Sequence, residues 1–209
     1  MKFSAVPDWA AFSAAAEPAK LADVSVRERE LEAEAARVEQ IAALHLAAVW
    51  RTTRELGVLA CDLEDVVQEV MLVCVRRLRD IEPGRERSFL LATAARVASN
   101  WRRGRRRRPV EPLDANDEAM SLALDPQTAA TNPARALEQK RELALVQAAL
   151  DQMSEPQRVA FILFELEELT AREIAEQLGS SESVIFARVQ RARAVFRRYV
   201  ATVRGRESG

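Results

Sequence analysis

The sequence predicts an all-α protein of two small helical domains joined by a flexible acidic linker, the second domain carrying a helix-turn-helix. Three observations predict it. Only six glycines and eight prolines interrupt a 209-residue chain rich in Ala, Leu, Glu and Arg, a composition that favours helix. Apolar residues recur at helical spacing through most of the length. That periodicity stops between about 109 and 136, where Pro112, Pro126 and Pro133 and five acidic side chains (Glu111, Asp114, Asp117, Glu118 and Asp125) mark an interdomain linker.

Composition also excludes function classes. The chain is 48% apolar and 30% charged, with 31 basic against 32 acidic residues, ordinary values for a soluble globular protein. There is no C-x-x-C pair and only one histidine, His45, so neither a metal site nor a cofactor is expected. His45 sits in the apolar run IAALHLAAVW and reads as structural. Cys61 and Cys74 are expected to be reduced thiols, Cys74 in a helix core. No nucleophile and base pair or phosphate-binding glycine loop is present, and no catalytic activity is expected. No apolar run approaches the roughly 18 residues of a membrane span, and Pro7 and Asp8 break any signal-peptide core. A cytoplasmic protein without stable membrane insertion is expected.

Residues 1–24 are expected to form a disordered extension, and the first domain to run over 25–108. From Ser25 to Leu56, Leu31, Val38, Ile41, Leu44, Val49 and Leu56 recur at helical spacing in one helix or two, with Gly57 as the stop. In DLEDVVQEVMLVCVRRLRD, a helical wheel places Val66, Val67, Val70, Met71, Val73, Cys74, Val75 and Leu78 on one arc. Asp65, Gln68, Glu69, Arg76 and Arg79 share the other face with Leu72. An apolar residue inside a polar stripe suits a docking face, although single exposed leucines are common. Pro83 and Gly84 mark a loop. FLLATAARVASNWRRGRRRR then starts as an apolar helix and becomes cationic, with six arginines in the seven positions 102–108.

The second domain is expected over 137–203, with a tail at 204–209. A helix from about Leu137 to Asp151 and the segment MSEPQRVAFILFELEELT precede TAREIAEQLGSSESVIFARVQRARAVFRRYV, where two helices flank a short LGSSE turn at helix-turn-helix spacing. Ile174, Leu178, Ile185 and Val189 are expected to form the contact between them, and Ser180 or Ser181 to cap the second helix. Seven arginines and no acid lie between Arg188 and Arg206.

Clustered arginines bind duplex DNA because each neutralised phosphate releases counterions. One cluster in each domain suggests two contacts with one nucleic acid, and a neutral total charge does not oppose this, since local field steers DNA. Trp101 either offers a π face to an unstacked base or packs on its own domain.

DLEDVVQEV, FLLATAARVASNWRRGRRRR and EIAEQLGSSESVIFARVQRARAVF, in this order, resemble the extracytoplasmic function (ECF) sigma factors, small two-domain members of the primary-type sigma family. The resemblance runs from about Gln40 to Tyr199. It implies a sigma subunit that binds core RNA polymerase, directs it to promoter DNA and helps open the duplex. It implies that Asp65, Gln68, Glu69 and Leu72 dock on the beta-prime clamp helices.

The −10-reading helix of the family, W-L-x-x-I-A-x-N, aligns with FLLATAAR: Phe89 stands where tryptophan is usual, Thr93 where isoleucine is, and Arg96 where the base-capturing asparagine is. Arg96, Asn100, Trp101, Arg102, Arg103, Arg105 and Arg106 are the implied −10 DNA-binding residues, with Arg102 and Arg105 to Arg108 on the backbone. Ser181, Ser183, Phe186, Arg188, Gln190 and Arg191 are the implied −35 contacts. Phe186 either meets a thymine methyl or packs. MSEPQR stands where L-P-x-x-x-R is usual, and Glu168 where glycine is frequent. The linker either mimics nucleic acid inside the polymerase or is a spacer. Members of the family are commonly held inactive by an anti-sigma factor, a further implied partner. The chief rival is a helix-turn-helix regulator acting without polymerase; a helical adaptor is another.

Overall fold

The structure is a computed structural model that describes residues 17–107 and 133–207. Seven α-helices follow in order among them: α1 (Glu17–Glu55), α2 (Ala60–Arg76), α3 (Glu86–Arg107), α4 (Pro133–Asp151), α5 (Glu155–Phe161), α6 (Ala171–Leu178) and α7 (Glu182–Glu207). A 3-10 turn, Leu78–Asp80, follows α2, and a π-helical turn, Ile162–Leu166, continues α5. No strand occurs among the described residues, as the composition predicts. The chain divides into two compact units, Met1–Ala43 and Leu44–Gly209. The expected disordered extension, 1–24, is corrected in part, since α1 begins at Glu17. EPAKLADVSVRERE holds its one proline in the first turn, where the missing N–H costs nothing. The expected linker lies outside the described residues up to 132, and its end, from Pro133, opens α4.

The larger unit holds the rest of α1 and everything after it. Gly57 ends the helix with φ +84°, and a Cβ there would stand 3.3 Å from Arg158 Nη1 and 3.4 Å from Arg102 Nη1. The left-handed backbone requires glycine, and a side chain there would also push the two guanidinium groups back slightly. On α2, Leu63, Val66, Val67, Val70 and Cys74 are buried, the i, i+3, i+4, i+7 stripe of an amphipathic helix. They face α3, whose Leu90, Leu91, Ala94 and Ala98 are fully buried; the alanines let the two helices approach closely. Val75, expected on the buried arc, is instead 50% exposed. It lies in the last turn of α2, and the 3-10 turn that follows brings Leu78 into the core in its place.

In the C-terminal half α4, α5 and α6 all pack on α7. Phe161 stacks on Phe196 with ring centroids 5.4 Å apart. The Ser154 N–H donates to Gln157 Oε1 at 3.1 Å, so MSEPQR begins α5 with a capping box and places Pro156 in the first turn. Arg158, from the same motif, is 2% exposed and pairs with Asp151 at 3.0 Å.

The π turn then widens the helix: Glu167 N–H donates to Ile162 O at 3.0 Å, and Glu168 adopts φ +54°. That left-handed position explains why a glycine suits it. Thr170 Oγ1 accepts from Glu173 N–H, and Glu173 Oε2 accepts from Thr170 N–H, closing a capping box at the start of α6. Gly179, at φ +63°, ends α6. The chain turns there into α7, where Ser181, of the two serines expected, is the cap, accepting from Val184 N–H at 3.4 Å.

Candidate nucleic-acid interface

Three surfaces carry the residues singled out from the sequence. On α2, Asp65, Gln68, Glu69 and Leu72 are all exposed, Leu72 at 48%. The amphipathic stripe turns the valines inward, so these four share the opposite face, as their spacing predicts. Nearby Val75 extends the apolar part of it.

The cationic surface is the end of α3. Arg96 and Asn100 are exposed one turn apart. Arg96 donates to the main-chain carbonyl of Gln177 on α6. Arg103 donates to Asn100 Oδ1 and lies 3.7 Å from Glu155. Arg102 turns inward, donating to Leu56 O at 2.8 Å. Arg105 pairs with Asp62 at 2.9 Å and stands over Trp101. Arg106 is helical in its backbone, and its side chain lies outside the described residues. Thr93, at the usual isoleucine position, is 4% exposed and returns its hydroxyl to Phe89 O, which reconciles a polar residue with the core.

The third surface is the start of α7. Ile174, Ile185 and Val189 are buried between the two helices, while Leu178 is only half-buried. This contact directs Ser181, Ser183, Phe186, Gln190 and Arg191 outward. Phe186 is 47% exposed and meets the Phe164 ring edge-on at 5.9 Å, so it packs along one edge and shows the other to solvent. Arg188, half-buried, lines a cleft of about 450 Å³ with Arg96, Asn100, Arg103, Glu155 and Leu178. Residues expected to read two separate DNA elements therefore meet across one opening.

Sequence reasoning missed the group that joins these halves. Glu167, 0% exposed, receives Arg51 Nε at 2.8 Å and Arg51 Nη2 at 2.9 Å, one to each carboxylate oxygen. Arg87 Nη2 donates to the same carboxylate at 2.9 Å, and Arg87 Nη1 to the Glu167 carbonyl at 2.6 Å. Arg85 adds a more exposed pair with Glu176 at 3.2 Å. The partners of Glu167 lie 116 and 80 residues away, and no local pattern announces such a contact.

Among the described residues no cluster of His, Cys, Asp or Glu could hold a metal ion, and no helix is long and apolar enough to cross a membrane. Cys74 is buried and Cys61 exposed, and neither forms a disulfide. Burial, and secondarily the Arg87 charge, lower the pKa of His45.

The buried contact between α6 and α7 and the exposed start of α7 define a helix-turn-helix. Residues 143–195 match the family described as Sigma-70, region 4. The chain is 30% identical over 135 residues to the probable RNA polymerase sigma factor RfaY of Xanthomonas campestris pv. campestris, covering 64% of this chain and 33% of that one. It is 28% identical over 163 residues to the ECF RNA polymerase sigma factor SigE of Mycolicibacterium smegmatis, covering 78% and 61%. The chain thus spans less than two thirds of the length of these two relatives. The structure of CnrH in complex with the cytosolic domain of CnrY shares the fold, with a TM-score of 0.57 and 23% identity over 79% of this chain and 88% of that one. Residues 143–195 therefore carry a sigma-70 region 4 domain, and the relatives that the chain resembles are named RNA polymerase sigma factors.

Proposed function

We propose that the chain acts as an ECF-type sigma subunit: it binds core RNA polymerase, brings it to promoters through −10 and −35 contacts, and promotes melting of the DNA. The observation that carries this reading is the start of α7, inside the region 4 match, where Ser181, Ser183, Phe186, Gln190 and Arg191 are exposed on a helix held by a buried contact with α6. A helix so presented enters a major groove by its N-terminus.

The face formed by Asp65, Gln68, Glu69 and Leu72 is assigned to the beta-prime clamp helices, with Leu72 as its apolar anchor. Arg96, Asn100 and Arg103 are assigned to the −10 element, where unstacked bases are stabilised by binding and not by hydrolysis. The protein works in the cytoplasm in this reading. A regulatory partner, an anti-sigma factor, belongs to the same reading, supported by a fold neighbour, the sigma factor RpoE of Bartonella quintana, solved with the anti-sigma factor NepR.

Co-elution with sigma-free core RNA polymerase on a sizing column tests the proposal. The wild-type protein is expected to co-elute, and the variant carrying Asp65→Ala and Leu72→Ala to elute alone with unchanged helix content. Tight binding to duplex DNA without any association with core would instead mark an independent regulator.

A further inference from the structure

We infer that Glu167 is a latch: clasped by Arg51 and Arg87, it holds the helix-turn-helix half closed on α1 and α3, with the DNA-reading residues of the two halves turned toward each other. The inference rests on the promoter-binding reading above for what is inhibited, and on geometry alone for the closure.

A carboxylate with no solvent exposure is costly to hold in the interior unless its oxygens are paired and hydrogen-bonded. Here three guanidinium N–H groups from two helices reach the two oxygens, and a fourth reaches the carbonyl of the same residue. Arg51 and Arg87 are themselves 45% and 37% exposed. Opening the molecule would return all three side chains to water, so the contact can be given up for solvation and acts as a clasp within the larger unit. Two unusual backbone features flank it, the π turn Ile162–Leu166 and the left-handed Glu168. Such features persist where the surrounding structure holds them, and they concentrate at functional positions. The outer contacts, Arg85 with Glu176 and Arg103 with Glu155, are exposed and contribute little alone.

Closure has a definite cost for DNA reading. Elements named −10 and −35 lie roughly 25 base pairs apart, on the order of 85 Å along a duplex at ~3.4 Å per step. In the closed form Arg96, Asn100 and Arg103 share a cleft of about 450 Å³ with Arg188. That volume suits a small ligand and not a duplex. No single DNA can occupy both reading surfaces until the halves separate, so whatever stabilises the closed form lowers apparent DNA affinity by the fraction of molecules left open.

The experiment compares the full-length wild type with Glu167→Gln and with a variant carrying Arg51→Ala and Arg87→Ala. Small-angle X-ray scattering reads the radius of gyration, fluorescence anisotropy reads binding of a fluorescein-labelled random-sequence duplex, and circular dichroism reads helix content. Both variants are expected to keep their helix content, expand, and bind the duplex about tenfold more tightly than the wild type. A variant pair as compact as the wild type overturns the latch. Expansion without a gain in affinity overturns its inhibitory role. Loss of helix in both variants makes the contact part of folding and also overturns it. Failure to co-elute with core polymerase would remove the sigma reading, whereas scattering and anisotropy decide the latch independently.

Discussion

Arg105 stands over the indole of Trp101, its guanidinium carbon 5.4 Å from the ring centroid, and reaches Asp62 on α2 at 2.9 Å. The cationic end of α3 is thereby partly tied to its own half. A cation over an indole contributes about 0.5–1 kcal/mol at a partly exposed site, and a partly exposed ion pair a similar amount at most. DNA phosphates can compete for a group held this loosely. Arg105→Ala is expected to lower stability by about 1 kcal/mol and to reduce the slope of log affinity against log salt by about one. Salt titrations of duplex binding check it; an unchanged slope would leave Arg105 as a structural strut.

The helix-turn-helix was legible because its contact is local: Ile174, Ile185 and Val189 are buried where their spacing places them. Leu72 stood out for the same reason, a polar stripe on one short helix. Val75 was misplaced because it falls at the edge of the apolar arc, three residues from exposed Leu72 and on the side of Arg79, where a wheel does not separate buried from exposed. Arg102 and Arg105 looked like phosphate grips, yet each also meets a partner from another element, Leu56 O and Asp62. Glu167 lay beyond sequence reasoning altogether, since its burial depends on two arginines distant in the chain. A run reading E-L-E-E-L-T gives no sign of which glutamate is inside.

The left-handed Glu168 yields a prediction of opposite sign to most substitutions. At φ +54° a side chain crowds its own backbone, a strain of about 1–2 kcal/mol that glycine lacks. Glycine returns part of that through the greater freedom of the unfolded chain. Glu168→Gly is expected to stabilise the protein by about 0.5–1 kcal/mol, read as a higher urea midpoint with an unchanged slope. A lower midpoint would show that the Glu168 side chain contributes more than its backbone costs.

Thr170 and Glu173 cap each other at the start of α6, and removal of the threonine hydroxyl is expected to cost about 1 kcal/mol near neutral pH. The hydrogen bond from the Thr170 side chain, followed by that from its backbone, holds the Glu173 carboxyl below its ordinary value of 4.5. A carboxyl depressed in the folded state contributes stability that is full above the unfolded pKa and is lost as pH falls through the folded one. The gap between wild type and Thr170→Ala should therefore narrow on acidification below about 4.5. Thermal melts of both proteins across that range check the sign, and a gap that widens in acid would refute it.

Glu55 has the opposite linkage. Its Oε2 is buried without a hydrogen-bond partner, and burial pushes its pKa up to about 7, with Arg54 and Arg51 pulling it down and Glu167 pushing it further up. A carboxyl raised above its unfolded value binds its proton more tightly in the folded protein. Stability therefore falls as pH rises from about 4.5 through about 7 and levels off above, because the folded state must then carry a poorly solvated charge. Glu55→Gln keeps the shape of the protonated side chain and removes that charge. It is expected to be nearly neutral at pH about 4 and to stabilise the protein by on the order of 2 kcal/mol at pH about 8. Urea unfolding of both proteins at the two pH values measures this difference. A gain of equal size at both would trace it to packing, and no gain at the higher pH would show that Glu55 already ionises there with adequate solvation. Glu55 also lies within electrostatic reach of Glu167 and Arg51, so its ionisation weakens the setting of the clasp while leaving each of the clasp's hydrogen bonds in place.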